Sequence, residues 1–181
     1  MRIRLAASLA FAVAVSGCSD YPQSPASPEA ISVPVRFEAA AKSGEAQHHG
    51  THMSGSEEVP ANQSQAQGQA SFLLSRNGKS LRYKLAVANI QNVTQAHIHL
   101  APAGTNGPVV VWLYPSGPPA VLIPGSSQGV LAEGIITAQS LVGPLAGGSL
   151  EDLVDQMLGN NTYVNVHTSQ FPPGEIRGQI R

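Results

Sequence analysis

Two histidines one residue apart, His97 and His99, are the residues of this chain best placed to do chemistry. They lie in the run Val93–Leu100, which reads as a β-strand. Side chains alternate across a strand, so both imidazoles share one face while Ala96, Ile98 and Leu100 share the other. The apolar face belongs to the core, and the two imidazoles then stand side by side away from it. An H-x-H pair on a strand offers two ligands to one metal ion. His167 is a third candidate. In Tyr163-Val164-Asn165-Val166-His167-Thr168 the valines take the core face, and Asn165 and His167 take the other. If the two strands share a sheet or an edge, three imidazoles converge. Three neutral nitrogens suit copper or zinc, with copper favoured by the affinity order of the divalent ions. The same histidines could instead bond to backbone and acidic neighbours and hold loops in place. Spacing alone leaves both readings open.

Other features are weaker. His48, His49 and His52 form a His-rich tract at the start of the domain, which could bind metal loosely or lend an auxiliary ligand. A solvated linker is the plainer reading of that tract. Glu175 and Arg177 share one face of the last strand. They could pair with each other, or Arg177 could reach Glu57 or Glu58. Such a pair would be structural, or would guide an anion. No glycine-rich phosphate loop is present. Adjacent acids are scarce, and Glu151-Asp152 falls at a helix start, where acids favour the dipole. Trp112 reads as a core residue.

The elements around these residues are mostly strands. Ser71–Arg76 and Lys79–Val87 flank Asn77-Gly78, a dipeptide suited to positive φ at both central positions of a tight turn, so a hairpin is expected. Further strands are expected at Val93–Leu100, Val109–Tyr114, Gly129–Thr137, Tyr163–Thr168 and Glu175–Ile180. Gly/Pro clusters separate several of them. One helix is expected near residues 149–158. Ser149 is its N-cap, Asp152 completes a capping box, Leu150, Leu153, Val154, Met157 and Leu158 form an apolar stripe, and Gly159 ends it. The pattern is all-β: a Greek-key sandwich or barrel with one short helix.

The chain's beginning has its own logic. Arg2 and Arg4 precede an apolar run, Leu5–Val15, too short to span a bilayer, and Val15-Ser16-Gly17-Cys18 has the pattern cut before a lipid-accepting cysteine. Residues 1–18 are therefore expected to be a lipoprotein signal peptide, with Cys18 the site of lipidation and the membrane reached through that lipid. The expected location is extracytoplasmic; in a Gram-negative host it is the outer membrane or the periplasmic face. Cys18 is the only cysteine, so no internal disulfide is available. Residues 19–50 are rich in Pro, Ser and Ala and read as a flexible tether, with Ile31–Phe37 apolar enough to pair as an edge strand. Residues 51–181 are one domain. Loss of Arg2 and Arg4 lowers Lys+Arg from 10 to 8 against 11 Asp+Glu, a balance that gives no reason to expect nucleic acid.

Several longer motifs occur in order: Ser56-Glu57-Glu58-Val59-Pro60, then Ala96–Leu100 with Gly104 and Asn106-Gly107-Pro108, then Tyr163–Thr168 and Pro173–Ile180. Together they resemble the CHRD domain, a module first described as a repeat in chordin and found singly in bacterial exported proteins. The resemblance spans about residues 52–181 and implies an extracellular β-rich domain. It implies little about activity. The H-x-H pair and the late His167 also resemble the copper ligands of the Cu/Zn superoxide dismutase fold. The zinc loop, the disulfide and the metal-bridging residue of that fold have no counterpart here, so a copper-only site is the most that this likeness implies. Three functions follow as expectations: a metal-binding module, a copper redox enzyme, or a metal-free domain whose partners are proteins.

Overall fold

The computed structural model describes residues 47–181. The leader, Cys18, most of the tether and Ile31–Phe37 lie outside the described residues. Seven strands form one antiparallel sheet: β1 His48–Ser54, β2 Gln67–Leu74, β3 Leu81–Leu100, β4 Val109–Tyr114, β5 Ile123–Ile136, β6 Thr162–Thr168 and β7 Ile176–Gln179. The sheet closes on itself because β3 is long. Its first part pairs with β2 and its second with β6, and the path β3-β2-β1-β7-β6 returns to β3. β5 and β4 lie along the other edge of β3 as extra strands. The all-β barrel with one short helix expected from the sequence is the fold that forms.

The barrel core is filled from alternating positions. Phe72, Leu85, Ile98, Val164, Val166, Ile176 and Ile180 are each nearly inaccessible to solvent, and burial of each such side chain stabilises the fold by about 1.5–3 kcal/mol. The helix α1, Leu150–Leu158, carries the expected capping box: Asp152 N donates to Ser149 Oγ, and Ser149 N donates to the Asp152 carboxylate at 2.7 Å. Leu150, Leu153, Val154 and Met157 are its buried face.

Three expectations need correcting. First, Lys79–Val87 and Val93–Leu100 are one strand, β3. The chain passes between them through Asn89 and Asn92, at φ 55° and 53°, with register shifts on the β5 side. Asparagine tolerates this left-handed backbone, so it makes bulges in a strand where the sequence reads as a turn. Second, the β2–β3 hairpin does form, but its connection is longer. Gly78 N donates to Ser75 O, and Ser75 N donates to Ser80 O. Of Asn77 and Gly78 only the glycine takes positive φ, at 67°. Third, the histidine tract is strand β1. His48 pairs with Leu73 and His52 with Gln69, so β2 supplies the backbone partners that fix it.

Candidate metal centre

Strand register assembles the site. In the β3–β6 ladder His97 lies opposite Asn165, His99 opposite Tyr163, and Gln95 opposite His167. Partners opposite one another in an antiparallel pair point to the same face, with Cβ atoms about 4.5–5.5 Å apart. β7 continues the rows, placing Arg177 opposite Asn165 and Gln179 opposite Tyr163. β4 adds Trp112 opposite His97. Ala96 and Ile98, on the other face, are fully buried in the core.

The histidines face away from the barrel interior, yet they are not exposed. His97, His99 and His167 retain 3%, 9% and 6% of their accessible surface. The connections after β3 and β6 cover them. His99 Nδ1 meets Gly107 O at 2.9 Å, and His167 Nδ1 meets Pro172 O at 2.8 Å. Gly107 must be glycine, because a Cβ there would run into the Leu100 carbonyl. Carbonyl oxygens only accept, so both histidines carry their proton on Nδ1 and leave a lone pair on Nε2. His97 Nδ1 lies 3.2 Å from His167 Nε2 and donates to it. The Nε2 atoms of His97 and His99 are buried and have no hydrogen-bond partner.

Burial keeps all three rings neutral. It pushes His97 down to about 3, helped by the neighbouring His167 and His99. It pushes His99 down to about 4 against the opposing bond to the Gly107 carbonyl. His167 is lowered by burial against its bond to the Pro172 carbonyl. Neutral imidazole is the ligating form.

One ring nitrogen from each of His97, His99 and His167 lies within 4.8 Å of the others. Nitrogens about 2.0–2.1 Å from one tetrahedral ion stand roughly 3.4 Å apart, so a pair at the 4.8 Å limit closes by roughly 1.4 Å on binding. The orphaned Nε2 atoms of His97 and His99 and the neutral rings fit an ion of the copper or zinc type, which would take the His167 Nε2 lone pair in place of the His97 bond. Among the described residues, this is the group of ligating side chains that converges. His48, His49 and His52 are on β1 and do not join it; His48 and His52 are exposed and His49 is buried.

Aromatic and polar neighbours surround the centre. Tyr163 stacks on His99, with centroids 4.8 Å apart and planes 8° apart. Its hydroxyl accepts from Gly107 N at 3.2 Å. Trp112 stands edge-on to His97 at 4.3 Å and is half-buried; Val111 and Leu113 take the core positions instead. Tyr163, Trp112 and Gly107 were not expected at the site, and Asn165 was placed beside His167 without a role. The alternation around Val164 and Val166 already placed Asn165 with His167, and the same count places Tyr163 there.

Glu175 and Arg177 go to different partners. Glu175 accepts from Ser64 Oγ and Thr168 Oγ1, both at 2.7 Å. Arg177, 2% exposed, donates to Asn106 Oδ1 at 3.0 Å and Thr105 O at 2.8 Å. Both residues hold loops. Glu58 is buried and accepts from Asn165 Nδ2 at 2.6 Å; burial raises its carboxyl to about 7 against the pull of Arg177 and the Val59 backbone bond. Gly125-Ser126-Ser127-Gln128-Gly129 has the spacing of a serine-hydrolase elbow. It runs along β5 with Ser127 paired to Ile90, not at a strand-to-helix turn, so it builds no nucleophile.

No curated protein and no solved structure matches the chain. The model of the CHRD domain matches residues 50–180, from β1 through the end of β7 and across every residue of the centre. The chain belongs to the CHRD domain family.

Proposed function

We propose that this protein is a lipid-anchored extracytoplasmic metal-binding module, with His97, His99 and His167 holding one copper or zinc ion. The observation that carries the reading is the pair of buried, unpartnered Nε2 atoms on His97 and His99 beside His167. A buried polar atom left unpaired costs about 1–3 kcal/mol, and a bound ion removes that cost. The backbone carbonyls of Gly107 and Pro172 aim two of the rings, as outer partners do at protein metal sites. The likeness to the copper ligands of the dismutase fold supports copper over zinc. The lipobox ending at Cys18 supports a position outside the cytoplasm, on the outer membrane or periplasmic face in a Gram-negative host.

The bound ion would supply Lewis acidity or one-electron chemistry at a protected position. The protein's own part is to bind it, to fix the imidazole tautomers and to exclude bulk water. The test is elemental analysis of the chain without its leader, purified without chelator or affinity histidines, followed by copper and zinc titration. One tightly held equivalent is expected, lost in the His97→Ala, His99→Ala double variant. Retention of metal by that variant, or refusal of both ions by the folded parent, sinks the reading.

A further inference from the structure

Asn165 sits in the middle of the centre. It lies opposite His97 in the β3–β6 ladder, two residues before His167 and two after Tyr163, the ring that stacks on His99. It is 3% exposed. Its Nδ2 is committed to Glu58 Oε1. Gly174, at φ 144°, makes room for that contact, since a Cβ there would strike both Asn165 and Glu58. Its Oδ1 is buried and has no partner.

That oxygen needs a hydrogen-bond donor, and among the described residues none reaches it. His99 and His167 spend their N–H groups on the Gly107 and Pro172 carbonyls. Arg177 Nη1 and Nη2 donate to Asn106 Oδ1 and Thr105 O, not to Asn165 Oδ1. Three imidazoles leave a copper or zinc ion with an open position, commonly filled by water.

We propose that Asn165 Oδ1 accepts a hydrogen bond from a water molecule in that open position. Glu58 fixes the amide so that oxygen, not nitrogen, faces the ion. The fourth position therefore takes neutral ligands that donate hydrogen bonds and discriminates against anions, which would set a negative charge against the amide oxygen. This rests on the metal-binding reading above. It assigns Asn165 as a specificity-determining residue and Glu58 as a positioning residue for it.

The experiment uses the copper(II)-loaded mature chain. Pulsed electron paramagnetic resonance in heavy water reports exchangeable deuterons on a copper-bound water. Azide titration, followed by its charge-transfer band, reports anion affinity. The parent is expected to show the deuterons and to bind azide weakly. Asn165→Ala is expected to keep one equivalent of copper and bind azide roughly three- to tenfold more tightly, the worth of one hydrogen bond to the displaced water. Asn165→Asp is expected to move azide affinity the other way, because a carboxylate repels the anion. Unchanged azide affinity in both variants overturns the proposal while leaving the metal site intact. So does a copper-loaded parent with no exchangeable deuterons, a measurement that needs no variant to fold. A parent that takes up no metal overturns the underlying reading, and this one with it.

Discussion

Arg177 lays its guanidinium over the ring of Tyr163, 3.4 Å from the centroid. The same ring stacks on His99, so the buried cation, the phenol and a ligating imidazole form one packed unit. The guanidinium also ties down the loop after β3 through Thr105 O and Asn106 Oδ1. Arg177→Ala leaves those oxygens unpaired and removes a ring contact. A loss of about 3 kcal/mol or more is expected in urea unfolding. Arg177→Lys is expected to recover only part of it, because an ammonium lacks the planar fork. A residue that merely guided anions would leave the unfolding midpoint unmoved in both variants.

Gly107 offers a sharper probe of how the loop serves the histidines. Its carbonyl fixes the His99 tautomer, and a Cβ would collide with the Leu100 carbonyl. Gly107→Ala must shift the loop and pull the carbonyl away from Nδ1. The variant is expected to fold and to lose roughly 10- to 100-fold in metal affinity, the usual cost of losing a partner behind a ligand. Competition titration against a chelator checks this. Parent-like affinity would mean that the Gly107 bond does not aim the ring.

Alternation carried most of the site from the sequence. Val164 and Val166 mark the core face of β6, so His167 must take the other, and the same count applied to Ala96 and Ile98 places His97 and His99. The helix was legible because Ser149 and Asp152 make a local, self-contained cap. Long-range register was not legible. Nothing near His97 in the chain says that Asn165 and Trp112 lie beside it, because those pairings depend on how β3 bends at Asn89 and Asn92. The two asparagines hide the continuity of β3, which closes the barrel. Burial of the histidines was hidden for a related reason: the loops that cover them are Gly/Pro-rich and read as connectors.

Trp112 is the only tryptophan in the chain, and its ring lies 4.3 Å from that of His97. Copper(II) is paramagnetic with low-lying d states and quenches a nearby indole by energy and electron transfer; zinc has a filled d shell and does not. Stoichiometric copper is expected to abolish most of the Trp112 emission, and zinc to change it little. A break at one equivalent reports the binding stoichiometry directly. Emission that falls only with several equivalents of copper would place the metal elsewhere, such as the exposed His48 and His52 of β1.

Acid should weaken the metal-free protein in a definite window. Unfolded imidazoles take up protons as the pH falls through about 6.5, but burial holds His97 at about 3 and His99 at about 4, with His167 also lowered. The unfolded chain therefore binds more protons, and stability present above about pH 6.5 drains away as the pH falls toward 4. Glu58 acts in the opposite sense. Its carboxyl is raised from 4.5 to about 7, so its contribution is complete below the unfolded value and is lost as the pH rises through the folded one. Between these limits His97 and His99 outweigh the one carboxyl by about one proton, and His167 adds to the same side; a proton is worth about 1.4 kcal/mol per pH unit. Urea unfolding of the metal-free chain from about pH 4.5 to 7.5 is expected to show stability rising with pH and levelling off near pH 7. Glu58→Gln removes the opposing proton, so its acid limb should be steeper by about one proton. Equal slopes in the parent and Glu58→Gln would mean that Glu58 titrates alike in both states, whatever its bond to Asn165.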